Sequence, residues 1–483
     1  MTTQNPTPTI LLPDLPPKTL VGIDLITFTS TANFHGIRDL PQGWHFLYTG
    51  ATETLSLRSG AWFYIGDITN AGKGRNDSGL VTQRQSQQQK NQSQNLAPEI
   101  YIWKWNDNSE SLISLNGASD SAKQDAMRYK ANLGAVWQSG GLFRYRSRIS
   151  ASMLVKPKSE GEKSQDSNRE EGEDQEADLV RAPARVEDDE ETEANGRRDW
   201  LGLTDRISPA LLSRVIGDAE VDVDGHPRWV LTSASTANRD ADHIPGVDSP
   251  AEGTEGLERG EEREREFGFL PIDLKRTWRE GAVGRERTEA AQDRSWALGE
   301  LLDGYSGDAS GGNQVVGELQ FTFLMVLTMM NYSCLQQWKR LLELILTSRQ
   351  AILDRDEFMG EVLRLLALQL QRCDDVDGGL FEIDGYDGGA FLRRLLTKLR
   401  QSVDELVGDG QESMVKVELD KLEEWVKSEY DWELHREAIL RRGMLQLEDG
   451  EEVEMDMEEN DEDEETGEYA PMIVDLGDGD MHA

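Results

Sequence analysis

The sequence predicts an α+β multidomain protein. An N-terminal antiparallel β-rich domain, a sandwich or small barrel, is followed by an all-α helical domain, with disordered acidic segments between and after them. Three observations carry this. Short aromatic and β-branched runs bounded by turn residues recur up to residue 115, the apolar period becomes helical after Trp200, and two carboxylate-rich runs lie between and beyond these regions. The 483 residues include 91 Asp plus Glu against 51 Lys plus Arg, a formal net charge of -40. That sign argues against a phosphate-backbone binder, which needs a basic field to release counterions. At 37% hydrophobic residues the chain still has enough apolar material for a real core.

Residues 1–18 carry Pro and Thr where a secretory signal has a basic patch and an apolar block, and are expected to be a flexible N-terminus. The β-rich domain is expected over 19–155. Its strand signals lie at 20–23, 44–48, 61–65, 99–105 and 112–115, each flanked by Gly, Asn, Asp, Ser or Pro. The Gln/Ser/Asn tract at 82–95 sits between two of them and reads as an expanded loop. A helical stretch around 121–136 closes the domain.

An acidic disordered linker is expected over 156–198. Between Ser159 and Asn195 there are 15 acidic and 4 basic residues, and between Glu448 and Glu468 there are 14 acidic and no basic ones. Such runs self-repel and hold little apolar surface to offset the entropy of ordering, so the regions beside them are expected to fold separately. The helical domain is expected over 199–445, with a polar insertion at 238–266. Phe391, Leu395, Leu399 and Val403, with Leu392, Leu396 and Leu406 beside them, share one helix face, as do Met359, Leu363, Leu366 and Leu370. Residues 317–330 are apolar nearly all round, as a central bundle helix is, and Asn331-Tyr332-Ser333 offers a break and a new N-cap before the next helix. Trp338 shares a face with Leu335, Leu341 and Leu342 and reads as core. An acidic tail, 446–483, contains a β-prone segment at 470–476.

Enzyme signatures are poor. The six His residues, His35, His45, His226, His243, His435 and His482, show no HExxH or other ligand spacing. Gly72, Lys73 and Gly74 lack the frame of a phosphate-binding loop, and the segment from Asp375 lacks the carboxylates of a calcium loop at its fifth and twelfth positions. Cys334 and Cys373 lie in helical patterns and read as reduced core thiols. No catalytic residue, cofactor or metal site is expected. No membrane span is expected either, because the greasiest stretch, 321–330, is preceded by Glu318 and Gln320.

Several blocks in a matching order carry a resemblance. They are Gly22-Ile23-Asp24, Phe34-His35-Gly36 and Pro41-Gln42-Gly43-Trp44-His45-Phe46-Leu47 in the β-rich half. In the helical half they are Trp200-Leu201-Gly202-Leu203-Thr204 with Ile207, then Thr288 with Asp293 and Ser295, Val316-Gly317-Glu318-Leu319-Gln320-Phe321, and Gln337-Trp338-Lys339-Arg340-Leu341-Leu342. Tyr430-Asp431-Trp432-Glu433 and Ala470-Pro471-Met472-Ile473-Val474-Asp475-Leu476 follow. Together they resemble the A1-cistron splicing factor family, assembly factors of the spliceosomal U5 particle. The acidic insert, the Gln tract and most of the acidic tail fall outside the resemblance.

The resemblance implies a two-domain protein without a catalytic site. It implies binding to the central scaffold protein of the spliceosome, at its RNase H-like and MPN-fold domains, in a U5 snRNP precursor. That binding blocks premature docking of an RNA helicase. Residence in cytoplasm and nucleus is expected, and the hydropathy and net charge lead to the expectation of no membrane partner and at most weak direct nucleic acid binding.

The residues themselves add one point. Ala470, Pro471, Met472, Ile473, Val474, Asp475 and Leu476 form a lone β-prone segment, and a single strand needs a sheet to join. It folds back on the protein's own β domain or adds to a partner's sheet edge, where backbone hydrogen bonds give affinity and alternate side chains give specificity. The resemblance favours the partner. Ser159 and Ser167, in acidic context, are candidate phosphorylation sites that would add negative charge to the linker. The competing reading is an acidic chaperone of histones or other basic proteins, bound by the carboxylate runs.

Overall fold

The computed structural model describes residues 7–51, 57–68, 99–115, 119–148, 183–237, 266–304, 311–373, 380–381, 389–408, 413–435, 441–446 and 452–457, with the backbone alone at 183–190, 441–446 and 452–457. Strands β1 (Thr9–Leu11), β2 (Leu20–Ile23), β3 (Ile26–Thr29), β4 (Gly36–Arg38), β5 (Gly43–Gly50), β6 (Arg58–Ile65), β7 (Ile100–Asn106), β8 (Ser111–Ser114) and β9 (Leu142–Arg144) build the N-terminal half, with helix α1 (Asp120–Gln138) before β9. Strands β10 (Glu220–Val221) and β11 (Pro227–Thr232) come from further along. They make two sheets, one of order β8-β7-β1-β4-β9 and one of order β10-β11-β6-β5-β2-β3. The six-stranded sheet is antiparallel throughout. The five-stranded one is mixed, since β1 runs parallel to β7 and β4 parallel to β9.

Alternation along β5 and β6 explains the layer order. Successive side chains point to opposite faces of a strand. Leu47, Ala61, Phe63 and Ile65 enter the core between the two sheets, together with Ile10, Tyr101 and Trp103. Trp44, Phe46, Tyr48 and Trp62 enter the helical core on the other face. Both faces are covered, so β5 is buried from Trp44 to Gly50. On the far side, Ala126 and Leu133 of α1 pack on Leu11, Ile102 and Leu115. The sequence of layers is α1, five-stranded sheet, six-stranded sheet, helices.

The helical half contains α2 (Pro183–Thr204), α3 (Pro209–Val215), α4 (Arg285–Gln292), α5 (Ser295–Asp303), α6 (Gly311–Met329), α7 (Tyr332–Leu346), α8 (Ala351–Asp354), α9 (Asp356–Gln371), α10 (Ala390–Leu406) and α11 (Met414–Tyr430). As expected, α6 is central, with every side chain from Gln314 to Met329 buried. The Asn331 side chain caps α7 by accepting the Cys334 N–H at 2.9 Å. Trp338 is core, donating Nε1–H to Gln369 at 3.1 Å. Cys334 and Cys373 are buried free thiols. Among the described residues no helix is long and apolar enough to cross a membrane.

Four boundaries depart from expectation. Residues 1–18 are not all flexible, because Thr9–Leu11 is the middle strand of its sheet; its short apolar run is masked in sequence by prolines that lie outside the ladder. The helical domain of 199–445 lends Pro227–Thr232 to the β layers, where Trp229 pairs with Trp62. The acidic linker of 156–198 is helical from Pro183 onward. Glu propagates a helix at little cost once a buried anchor such as Trp200 and Leu203 nucleates it. Finally, β12 (Arg441–Gln446) and β13 (Glu452–Met457) pair as an antiparallel hairpin at the start of the acidic tail. There Val453, Met455 and Met457 alternate with carboxylates, a period of two that the charge content obscures.

Candidate functional site

The first signature blocks meet at a buried cluster beneath β5. Asp24 turns the chain between β2 and β3 in the left-handed region, φ 56°, which a short polar side chain tolerates. Its Oδ1 accepts the Phe46 N–H at 2.9 Å, and its Oδ2 accepts the Tyr145 hydroxyl at 2.6 Å and meets His45 Nδ1 at 2.9 Å. His45 Nε2 lies 2.9 Å from the Pro41 carbonyl. Both ring nitrogens face acceptors, so the geometry calls for imidazolium, a donor at each. Burial pulls the His45 pKa down, but the charge and hydrogen bond of Asp24 and the Pro41 carbonyl outweigh it, leaving the pKa raised above 6.5. Burial, then the Asp24 charge, pushes the Tyr145 hydroxyl well above its usual range. The side chains of His45 and Asp24 are 1% and 2% exposed, so this cluster meets no substrate and clamps the turn.

The Trp200, Val316–Phe321 and Gln337 blocks gather on the opposite face of the same sheet. Trp44 donates Nε1–H to the Ile207 carbonyl and Trp200 donates to the Trp44 carbonyl, each at 2.8 Å. The Trp62 ring stacks on Trp200 with centroids 6.1 Å apart. Arg58 on β6 reaches the Thr328 carbonyl of α6 at 2.6 Å. Glu318 is fully buried, accepting from Arg214 at 2.7 Å, from Gln337 at 2.6 Å and from the Leu270 N–H at 3.0 Å. Burial raises its pKa, with Arg214, Gln337 and Leu270 opposing. Gln320 donates to the Gly202 carbonyl at 3.0 Å and to Asp205 at 2.6 Å. Motifs far apart in sequence thus interlock α2, α6, α7 and β5.

Two surface features have chemical content. Asp222, Asp224 and His226 in the β10–β11 turn lie close enough to share a cation. Their donors and acceptors are already matched, however. Asp222 Oδ1 accepts the Asp224 and His226 N–H groups at 2.9 Å, Asp222 Oδ2 meets His226 Nδ1 at 3.1 Å, and Lys130 reaches both Asp224 oxygens at 2.7 Å. The arrangement is a closed turn. A groove of about 630 Å³ among α2, α6, α9 and the start of α11 has Val316, Leu365, Leu368 and Met414 along it, with Arg206 tied to Glu361 at 2.9 Å on its wall.

Ala470, Pro471, Met472, Ile473, Val474, Asp475 and Leu476, with Ser159 and Ser167, lie outside the described residues. Among residues that sequence reasoning missed, Tyr145 and Arg58 stand out. Neither sits in a signature block, and their partners, Asp24 and Thr328, are 121 and 270 positions away, so no local pattern marks them.

These layers define an α+β protein whose signature residues join a β sandwich to a helical bundle. The family comparisons agree with that architecture. Residues 6–217 match the AAR2 N-terminal domain and residues 269–435 the AAR2 C-terminal repeat region, which together take in most of the sequence. The chain belongs to the AAR2 family, the A1-cistron splicing factors. Protein AAR2 homolog of Homo sapiens is 29% identical over 182 residues, 36% of this chain and 46% of the relative. That of Pongo abelii is 28% identical over 181 residues, again 36% and 46%. That of Mus musculus is 24% identical over 249 residues, 50% of this chain and 62% of the relative. The matches thus span about half the length of the curated relatives.

Proposed function

We propose that the protein is a non-enzymatic assembly factor of the U5 snRNP in pre-mRNA splicing, acting in cytoplasm and nucleus. Its partner in this reading is the central spliceosomal scaffold protein, engaged at the RNase H-like and MPN-fold domains so that helicase docking is delayed. One observation carries the reading. Among the described residues, several by which the chain resembles its family make buried contacts, Trp44 with Trp200 joining sheet to helix and Glu318 with Gln337 joining helix to helix. A protein that acts by docking needs its surfaces held in register, whereas a catalyst needs such residues around an open pocket. The segment from Ala470 to Leu476 then adds a strand to the partner.

Affinity purification of the full chain from its native host, with mass spectrometry, tests this. The scaffold protein is expected to dominate and to survive moderate salt in part, because strand addition and domain docking are less screened than charge runs. Recovery of histones alone, lost steeply as salt rises, would favour the acidic-chaperone reading instead.

A further inference from the structure

Between α4, the start of α5 and the turn before α8 lies a cleft of about 500 Å³. Two indoles line it, and they differ from the rest. All 12 tryptophans of the chain lie within the described residues, and Trp296, at 37%, is the exposed one. Among the described residues its ring has no aromatic, cationic or hydrogen-bond partner. An exposed, unengaged Trp is the side chain most enriched at binding hot spots. Across the cleft, Trp278 already carries the Arg287 guanidinium 5.5 Å from its ring centroid, so an indole here accepts a cation on its face.

The charge of the lining points the same way. It contains Glu286, Glu289 and Asp293 against a single cation, Arg279 at the exposed rim. Asp293 is engaged by Ser295, whose N–H and hydroxyl lie at 3.0 and 2.5 Å, and by the Gln350 N–H at 3.1 Å. Glu289 is met by Arg285 at 2.6 Å. Glu286, in the first turn of α4, has no side-chain partner among the described residues.

We propose that this cleft seats an arginine side chain displayed by a partner protein, its guanidinium stacked on Trp296 and paired with Glu286. Arginine fits better than lysine because its planar fork can lie on an indole while donating to a carboxylate at its edge. This site is independent of the tail strand and of the scaffold reading.

The test uses the full chain and a blocked tripeptide, acetyl-Gly-Arg-Gly-amide, followed by NMR at the Trp296 indole N–H, a signal assigned by its loss in Trp296→Phe. The indole resonance is expected to shift saturably. Glu286→Gln should weaken binding about fivefold, and the lysine tripeptide should bind more weakly than the arginine one. Trp296→Ala, read by saturation transfer to the peptide's arginine protons, should abolish the site-specific part while the melting temperature holds, as suits an exposed side chain. The proposal is overturned if no saturable shift occurs at Trp296. Equal binding of a leucine tripeptide, or indifference to both substitutions, would overturn it too, leaving an apolar contact or diffuse attraction to the acidic runs.

Discussion

His45 donates to Asp24 from one nitrogen and to the Pro41 carbonyl from the other, and the second donation needs the extra proton. Its pKa is raised above 6.5, so the folded protein holds that proton to higher pH than the unfolded chain does. The stability it contributes is full below the unfolded value and is lost as pH rises through the folded one. Asp24 and Tyr145 face the ring, and Arg197 opposes its charge from α2. The stability difference between the protein and His45→Leu should therefore shrink as the pH rises above 6.5, as read by denaturant unfolding. At the acid end it should be about 3–5 kcal/mol, the usual cost of leaving a buried partner unpaired. A difference that grows with pH would show that the imidazole is neutral in the fold. Glu318→Ala strands the buried half of Arg214 and should cost a similar about 3–5 kcal/mol in the same assay. Trp44, Glu318 and Gln337 stand out as members of blocks, but nothing local in the sequence marks their partners, because each bond joins segments brought together only by the tertiary fold.

At the scale of elements, long patterns were legible and short ones were not. The strands β5 and β6 and helices α6, α7, α9 and α10 each span two or more periods, so their faces could be read directly. Strands β1, β4 and β9 have three residues each, too few to display a period, and are strands because neighbours offer them a ladder. The exposure of both faces of β5 to apolar layers was also hidden, since a buried tryptophan looks alike on either side of a sheet. Within the helical bundle, Trp338→Ala should cost about 3–5 kcal/mol and lower the melting temperature sharply, because the ring is 3% exposed and packs near Phe323. An unchanged melting curve would contradict its place in the core.

For the whole molecule, the shared core changes what the division into halves means. Trp44 and Trp62 belong to the same apolar cluster as Trp200 and Phe321, and β11 is a helical-half segment inserted beside β6. A protease site engineered within 159–182 and cleaved should thus give two fragments that stay together on size exclusion. Separation of the fragments would mean that the halves are independent domains. The tail is the part on which the proposed partner depends most. Met472, Val474 and Leu476 alternate with Ile473 and Asp475, so one face of an added strand would present three apolar side chains, and Pro471 falls at its start, where the loss of one donor is tolerated. Proline at Val474 would remove a ladder donor inside the strand without touching the folded layers. The most direct measurement is the affinity of the intact chain, of Val474→Pro and of a chain ending at Glu468 for the purified RNase H-like and MPN-fold pair. Strand addition predicts that both variants bind markedly more weakly while melting like the intact chain; equal affinity of all three would contradict it.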